Sequence, residues 1–518
     1  MQLTFPQSGP VYFLARIVIC FALGFVGAYA QAPTNYWPLM FVALSGFYVC
    51  TAQSERPLVA LALGYAFGIG YYVSGLAWIG NAFKVEGNPF SWVMPIAVIG
   101  LPMLLSVFPM FTAYISRRFF NLHHFSGLLG FVAVLTFMEW TRGHIFSGFP
   151  WNLYGHMWSF LLPAIQITAF TDVFFLTLLT IFWTALPGLL FLHPHFDKSK
   201  VILVVLAVAT FSGSFALGVW HLRKHPTEFR SDVYFNIVQP NIPQSEKWQR
   251  DKMVEAFYKH VELSYAKIPE KATTFVVWPE TALTPWFAND RSSMRAIKDS
   301  LKSYAGTAYL MTGALRFNEE NETNHNSLVL IDDQGQTLQV FDKSHLVPFG
   351  EYVPLKQFIP IKPVANFNGF VSGNGPETFE TPEKIRYSPM VCYEIIFSGA
   401  VIDHKGPRPD FIVNVTNDAW YGDSPGPYQH FVQAMFRAVE EGVPVVRAAN
   451  TGISGLIDPV GRVIRQSYLF EEVSILERLP KAVAAQNKTP YFGFIILWGS
   501  ILALFATGLI FKLRSDKF

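Results

Sequence analysis

Residues Pro389-Met390-Val391-Cys392-Tyr393-Glu394 form an apolar run that ends in a thiol and a carboxylate. The run predicts a β-strand that delivers Cys392 at its tip, where open sheets hold their ligands. If the strand continued, Glu394, two residues on, would share a face with Cys392. Cys392 is the only cysteine between residues 221 and 490, because Cys20 and Cys50 fall in long apolar runs and read as small core hydrophobes. A free thiol with a pKa of about 8.5 is only a few per cent thiolate at neutral pH. A catalytic reading therefore requires a base and a partner for the oxyanion; the plainer reading is an inert buried cysteine.

Other short runs around Cys392 have the same Val/Ile/Tyr/Phe-rich character, bounded by Pro, Gly, Asn and Asp. Candidate strands are Tyr234–Val238, Phe275–Trp278, Tyr309–Thr312, Leu328–Asp332, Leu338–Phe341, Met390–Tyr393, Phe411–Val415, Val443–Arg447 and Gly455–Ile457. Helical patterns lie between some of them, at about 247–267, 290–304 and 427–441. Apolar strands with intervening helices predict a sheet covered on at least one face. Two of these strands end in charge. Val276-Val277-Trp278-Pro279-Glu280 predicts a strand stopped by proline with Glu280 at its tip, and Phe341-Asp342-Lys343 puts Lys343 at a strand end, with Glu351 eight residues later. Taken singly, each would read as a solvated rim charge.

Outside this region the chain has a different chemistry. Its 518 residues are 51% hydrophobic and only 15% charged, against about 25% charged in an average soluble chain. The net charge of +2 leaves no nucleic-acid footprint. Charge-poor runs predict eight transmembrane helices, at roughly 11–30, 35–53, 57–80, 90–116, 121–140, 173–192, 201–220 and 491–511. The predicted domains are therefore 1–220 (membrane), 221–490 (α/β) and 491–518 (a last helix and tail). Residues 151–170 read as interfacial or re-entrant. Arg16 inside the first run, and no Lys or Arg in residues 1–10, argue against a cleaved signal peptide. The loops expected on one side carry Arg56, Arg117, Arg118, Lys198, Lys200, Lys512, Arg514 and Lys517; those on the other carry only Lys84 and Arg142. This bias predicts cytoplasmic termini and an external, periplasmic 221–490 segment.

Glu280, Lys343 and Cys392, in that order with spacings of 63 and 49, resemble the Glu-Lys-Cys triad of the carbon–nitrogen hydrolase (nitrilase) superfamily. The resemblance covers 232–470, including Asn414-Val415-Thr416-Asn417-Asp418 and Arg447-Ala448-Ala449-Asn450. Between apolar spans, such a domain resembles the apolipoprotein N-acyltransferase branch. Glu139-Trp140-Thr141-Arg142-Gly143, Gly148-Phe149-Pro150-Trp151-Asn152, Val238-Gln239-Pro240-Asn241-Ile242-Pro243-Gln244 and Trp248 are similar to its motifs. The resemblance implies an α-β-β-α sandwich. It implies transfer of an sn-1 acyl chain from a phospholipid, typically phosphatidylethanolamine, to the amino group of a diacylglyceryl-cysteine on an apolipoprotein, in a bacterial inner membrane. It further implies a ping-pong route through a Cys392 thioester, with Glu280 as base and Lys343 plus a backbone N–H at the oxyanion. Glu351, Glu394 and Tyr393 would stand near the site. Trp248, Glu139 and Arg142 are candidates for lipid contact, the last two reading equally well as a structural bridge three residues apart on a helix. Asp172 reads as a helix cap.

Two other functions fit the same residues: a tethered amidase with water as acceptor, and a transporter or scaffold with a degenerate domain. The reaction that the resemblance implies requires no metal or redox cofactor; separately, the thirteen histidines show neither HExxH nor Cys–His ligand spacing, and no Walker or Rossmann glycine loop occurs.

Overall fold

The computed structural model describes residues 9–84, 91–192, 197–266, 268, 271–353, 369–483 and 492–515. Residues 1–8, residue 90, residue 267, residues 484–491 and Lys517, which entered the reading above, lie outside the described residues. The chain forms two compact units, one of residues 1–80, 92–222 and 488–518, the other of 81–91 and 223–487.

The first unit is helical: α1 (Pro10–Gly27), α2 (Pro38–Ala52), α3 (Pro57–Leu76), α4 (Met94–Leu105), α5 (Val107–Phe119), α6 (Phe125–His144), α7 (Leu162–Ile165), α8 (Val173–Leu192), α9 (Lys198–Lys224) and, closing the chain, α14 (Phe492–Ser515). Among the described residues six helical stretches, not eight, are long and apolar enough to cross a membrane: Pro10–Ala30, Pro57–Phe83, Ser91–Phe119, Val173–Leu192, Lys198–Lys224 and Phe492–Arg514. The two that fall short do so for different reasons. Helix α2 has 15 residues, or about 22 Å at 1.5 Å per residue, against about 30 Å of hydrocarbon. Helix α6 has 20 residues but ends in Glu139-Trp140-Thr141-Arg142-Gly143-His144, too polar for a uniform span. Residues 151–170 fold as short helical turns with Trp151, Tyr154, Met157 and Trp158 buried. Asp172 caps α8, its Oδ1 accepting from the Phe175 amide at 2.7 Å.

Close approach of helices is purchased with small residues. A Cβ on Gly24 would lie 2.0 Å from the Phe67 carbonyl oxygen of α3, so only glycine lets α1 and α3 touch here.

The second unit contains two six-stranded sheets. In one the order is β12 (Val473–Pro480), β1 (Phe229–Gln239), β2 (Thr273–Leu283), β3 (Ala308–Asn318), β4 (Thr323–Ile331), β5 (Thr337–Asp342); in the other it is β11 (Val463–Gln466), β10 (Gly455–Ile457), β9 (Val445–Ala449), β8 (Phe411–Thr416), β7 (Arg386–Val391), β6 (Phe379–Glu380). Strand alternation explains the layering. Val233, Phe235 and Ile237 of β1 share one core with Phe411, Val413 and Val415 of β8, so the two sheets pack face to face. Tyr234 and Val238 point the other way, into a second core with Phe257 and Val261 of α10 (Arg250–Leu263) and Ile297 and Leu301 of α12 (Arg291–Leu301), which follows the short α11 (Pro285–Asn289). Helix α13 (Pro425–Glu441) buries Phe431, Ala434, Met435 and Ala438, and contacts β9 of the second sheet. The result is the two-sheet sandwich that the resemblance implied. The nine strands expected from sequence all occur; β6, β11 and β12 were not foreseen.

Candidate active site

Strands β1, β2 and β3 run parallel, as do β7, β8 and β9, so several strand ends converge on one edge. Glu280 comes from β2, although Pro279 does not end the strand: β2 continues to Leu283 through an irregularity in its pairing with β3 between Trp278 and Leu283. Proline is accommodated because the ladder is already broken there. Gly313 of β3 makes the irregularity possible, since a Cβ at that position would lie 2.4 Å from the Glu280 Cα. Thr281 is left at φ 55°.

Lys343 follows β5 immediately. Its amide donates to the Asn326 carbonyl at 2.8 Å, which extends the β4–β5 ladder by one bond. The buried ammonium lies 2.9 Å from Glu351 Oε1 and 3.8 Å from Glu280 Oε1. Asn326 ties the carboxylates together, its Nδ2 donating to Glu280 Oε1 at 2.7 Å and Glu351 Oε1 at 3.1 Å. The Asn417 amide donates to the other oxygen of Glu280 at 2.9 Å. Burial alone would lower the Lys343 pKa, but the charges of Glu351 and Glu280 outweigh it and hold the ammonium well above its ordinary value.

Cys392 departs from the expectation. Strand β7 ends at Val391, and Cys392 opens a 3₁₀ turn over Cys392–Ile396 at φ 53°. This left-handed conformation costs a non-glycine residue about 1–3 kcal/mol and points the side chain out of the sheet direction. Glu394 therefore does not share a strand face with Cys392. Instead its carboxylate receives the Val391 amide at 2.7 Å, the Ser344 amide and hydroxyl at 2.7 Å each, and the His345 amide at 3.1 Å. It fastens the turn bearing Cys392 to the loop after Lys343. Burial raises the Cys392 pKa and the Glu280 charge raises it further, with Lys343 opposing, so the resting group is the neutral thiol.

Tyr393 is buried, its ring 5.2 Å from Phe397 and edge-on to it. Trp248 is 45% exposed, on the loop before α10. Glu139 and Arg142 pair with each other at 2.6 Å, and their side chains are 1% and 0% exposed. Arg142 also donates to the Phe149 and Trp151 carbonyls, and the Tyr72 hydroxyl reaches Glu139. The pair is thus a buried bridge that holds the 148–152 loop, the structural alternative of the two readings. Asn326 and Lys247 carried no motif signal. Lys247 Nζ donates to the Glu280 carbonyl at 3.0 Å and to Thr281 Oγ1 at 2.5 Å, and burial lowers its pKa to about 8. Among the described residues no group of three or more His, Cys, Asp or Glu could hold a metal ion.

A half-buried thiol that feels the charges of a carboxylate and an ammonium, themselves 3.8 Å apart, has around it groups able to serve acyl-transfer chemistry as nucleophile, proton acceptor and oxyanion partner. The chain matches two family models, "Carbon-nitrogen hydrolase" over residues 237–487 and "Apolipoprotein N-acyltransferase N-terminal domain" over residues 23–186. It is 34% identical over 488 residues to an apolipoprotein N-acyltransferase of Rhodopseudomonas palustris, covering 90% of each chain. With that of Allorhizobium ampelinum it is 34% identical over 528 residues, covering 96% of this chain and 97% of the relative. Among solved structures, Saccharomyces cerevisiae Nit3, a nitrilase-superfamily member, aligns with a TM-score of 0.35 at 14% identity, over 49% of this chain and 91% of that one.

Proposed function

The chain belongs to the apolipoprotein N-acyltransferase family, and on that premise we propose how its own residues carry out the transfer. Glu280 accepts the thiol proton as Cys392 Sγ attacks the sn-1 ester carbonyl of a phospholipid, with phosphatidylethanolamine the typical donor. The C–O bond breaks, lysophospholipid leaves with a proton returned by Glu280, and the acyl group remains as a thioester. The amino group of a diacylglyceryl-cysteine at the apolipoprotein N-terminus then attacks the thioester, Glu280 takes the amine proton, and the Cys392 thiol is regenerated. Lys343 and a backbone N–H near Cys392 face the oxyanion in both halves.

The observation that carries this reading is the Glu280–Lys343–Glu351 cluster set against a raised-pKa thiol. A neutral thiol needs its proton removed in the act of attack, and a carboxylate beside it supplies the base. Glu351 keeps Lys343 charged, while Glu394 holds the two loops in register.

The helical unit suits lipid substrates. Extracting an acyl chain into water costs about 0.8 kcal/mol per CH₂, which a membrane-held enzyme avoids. Among the described residues, six helical stretches have the length and composition to cross a membrane. With the Lys/Arg bias of the loops, they support a bacterial inner-membrane protein whose catalytic unit faces the periplasm. The three-part division at residues 220 and 490 stands as part of this proposal.

The test is to incubate the protein with sn-1-labelled phosphatidylethanolamine and a diacylglyceryl-cysteine peptide. Label should move to the peptide amine. Accumulation of free fatty acid alone would instead identify a lipid hydrolase.

A further inference from the structure

Behind Cys392 lies a second polar cluster that the transfer scheme does not use. Thr416, Asp418, His430 and Arg447 are buried together, from the end of β8, the turn after it, α13 and β9. Arg447 NH2 donates to Asp418 Oδ2 at 2.8 Å and stands 3.0 Å from His430 Nδ1; its NH1 donates to Asn414 Oδ1. Asp418 Oδ1 accepts from Thr416 Oγ1 at 2.9 Å and lies 2.9 Å from His430 Nδ1. The far nitrogen of the imidazole, Nε2, lies 3.2 Å from the carbonyl oxygen of Cys392, and Asn414 Nδ2 donates to the same oxygen at 3.4 Å.

A carbonyl oxygen only accepts, so Nε2 carries a proton and donates it. Burial and the Arg447 charge lower the His430 pKa, which favours the neutral ring. Nδ1 stands between Asp418 Oδ1 at 2.9 Å and Arg447 NH2 at 3.0 Å, and the Nε2–H toward the Cys392 carbonyl is present whichever of the two it pairs with. The Cys392 carbonyl belongs to the residue held at φ 53°, a conformation that persists only where its surroundings enforce it. Two side-chain donors on that one carbonyl are such an enforcement.

We propose that His430 is a positioning residue for the thiol, its Nε2–H clamping the Cys392 carbonyl so that the left-handed turn keeps Sγ aimed at the ester. Asp418 and Arg447 hold the ring for that purpose and do not touch substrate. The inference rests on Cys392 being the nucleophile.

Glutamine and asparagine separate the two ring nitrogens. His430→Gln keeps an amide N–H near the Nε2 position, whereas His430→Asn keeps only the Nδ1 side. On the full-length detergent-solubilised protein, acyl-enzyme formation from phosphatidylethanolamine is followed by intact mass, with Cys392→Ala as control. His430→Asn should slow acylation about a hundredfold, the scale of a misplaced reacting group, with the KM for phospholipid unchanged. His430→Gln should recover most of the rate. If His430→Asn does not fold, His430→Phe, with a ring of similar size and no donor, is read in its place. Equal rates in the Asn and Gln variants, or a parental rate in Asn, overturns the clamp. An acyl adduct on Cys392→Ala overturns the nucleophile assignment itself, and the positioning role that rests on it falls with it.

Discussion

Glu351, eight residues beyond Lys343 in the chain, holds that lysine's ammonium at 2.9 Å. The contact divides labour between two carboxylates. Glu351 spends its Oε1 on the cation and its Oε2 on the Val347 amide, at 2.8 Å. Glu280 lies farther from the same ammonium, at 3.8 Å, and is the carboxylate that exchanges a proton in the proposed scheme.

Replacing Glu351 with Gln should therefore act through Lys343. The Lys343 pKa is raised in the folded protein by Glu351 and Glu280 against burial. A raised lysine pKa stabilises the fold below the unfolded value and loses that contribution as pH climbs through the folded value. Glu351→Gln removes the larger of the two stabilising charges, so Lys343 should deprotonate at lower pH. The alkaline limb of the pH–rate profile for acyl-enzyme formation should move down, with a rate loss of roughly tenfold or more at neutral pH. An unmoved limb would break the assignment of Glu351.

Glu280→Gln should split two properties of Cys392 that are usually read together. The Glu280 charge helps raise the thiol pKa, so its removal should bring alkylation of Cys392 by iodoacetamide to lower pH. Acyl-enzyme formation should nonetheless fall by about 10²–10⁴, because the base is gone. Parallel gains in both rates would show that Glu280 is not the proton acceptor.

Gly313→Ala tests the backbone rather than the charges. The new methyl would meet the Glu280 Cα at 2.4 Å and the Thr281 nitrogen at 2.7 Å, and backbone has little room to yield. We expect a loss of about 1–3 kcal/mol in stability, measured by thermal unfolding, together with slowed acylation. Parental values of both would mean that the β2 irregularity is not as rigid as the contact implies.

Arg142→Met should destabilise the helical unit by about 3–5 kcal/mol, because it strands a buried Glu139. The double change Glu139→Leu with Arg142→Met should recover much of that loss, read as the thermal midpoint in detergent. A double variant as unstable as the single one would point to the carbonyls of Phe149 and Trp151 as the partners that matter.

The six apolar helices and the nine anticipated strands were legible because each is a local pattern of residue type. Two spans were overcounted for local reasons as well: α2 is too short and α6 too polar. Strands β6, β11 and β12 were missed because short or polar edge strands such as Val463–Gln466 carry little alternation of their own, and pairing with a neighbour is what makes them strands. At the site, the strand ends near Glu280, Lys343 and Cys392 could be found by pattern. Asn326 could not, because an asparagine within a strand, here the fourth residue of β4, looks like any polar ladder residue until two carboxylates are placed beside it.

By itself the amino-acid sequence determined which segments are apolar helices, which are strands, and which residues bring a thiol, an acid and an amine. Those are properties of side-chain chemistry and period, and they survive in one dimension. The tertiary structure alone decided that Cys392 turns out of its strand at φ 53° instead of continuing it, that Glu139 and Arg142 pair with each other in a buried bridge, and that Glu351 rather than Glu280 lies nearest Lys343. Each depends on partners far apart in the chain, and the electrostatic energy of a buried charge is set by what lies within a few ångströms of it, whatever the sequence separation.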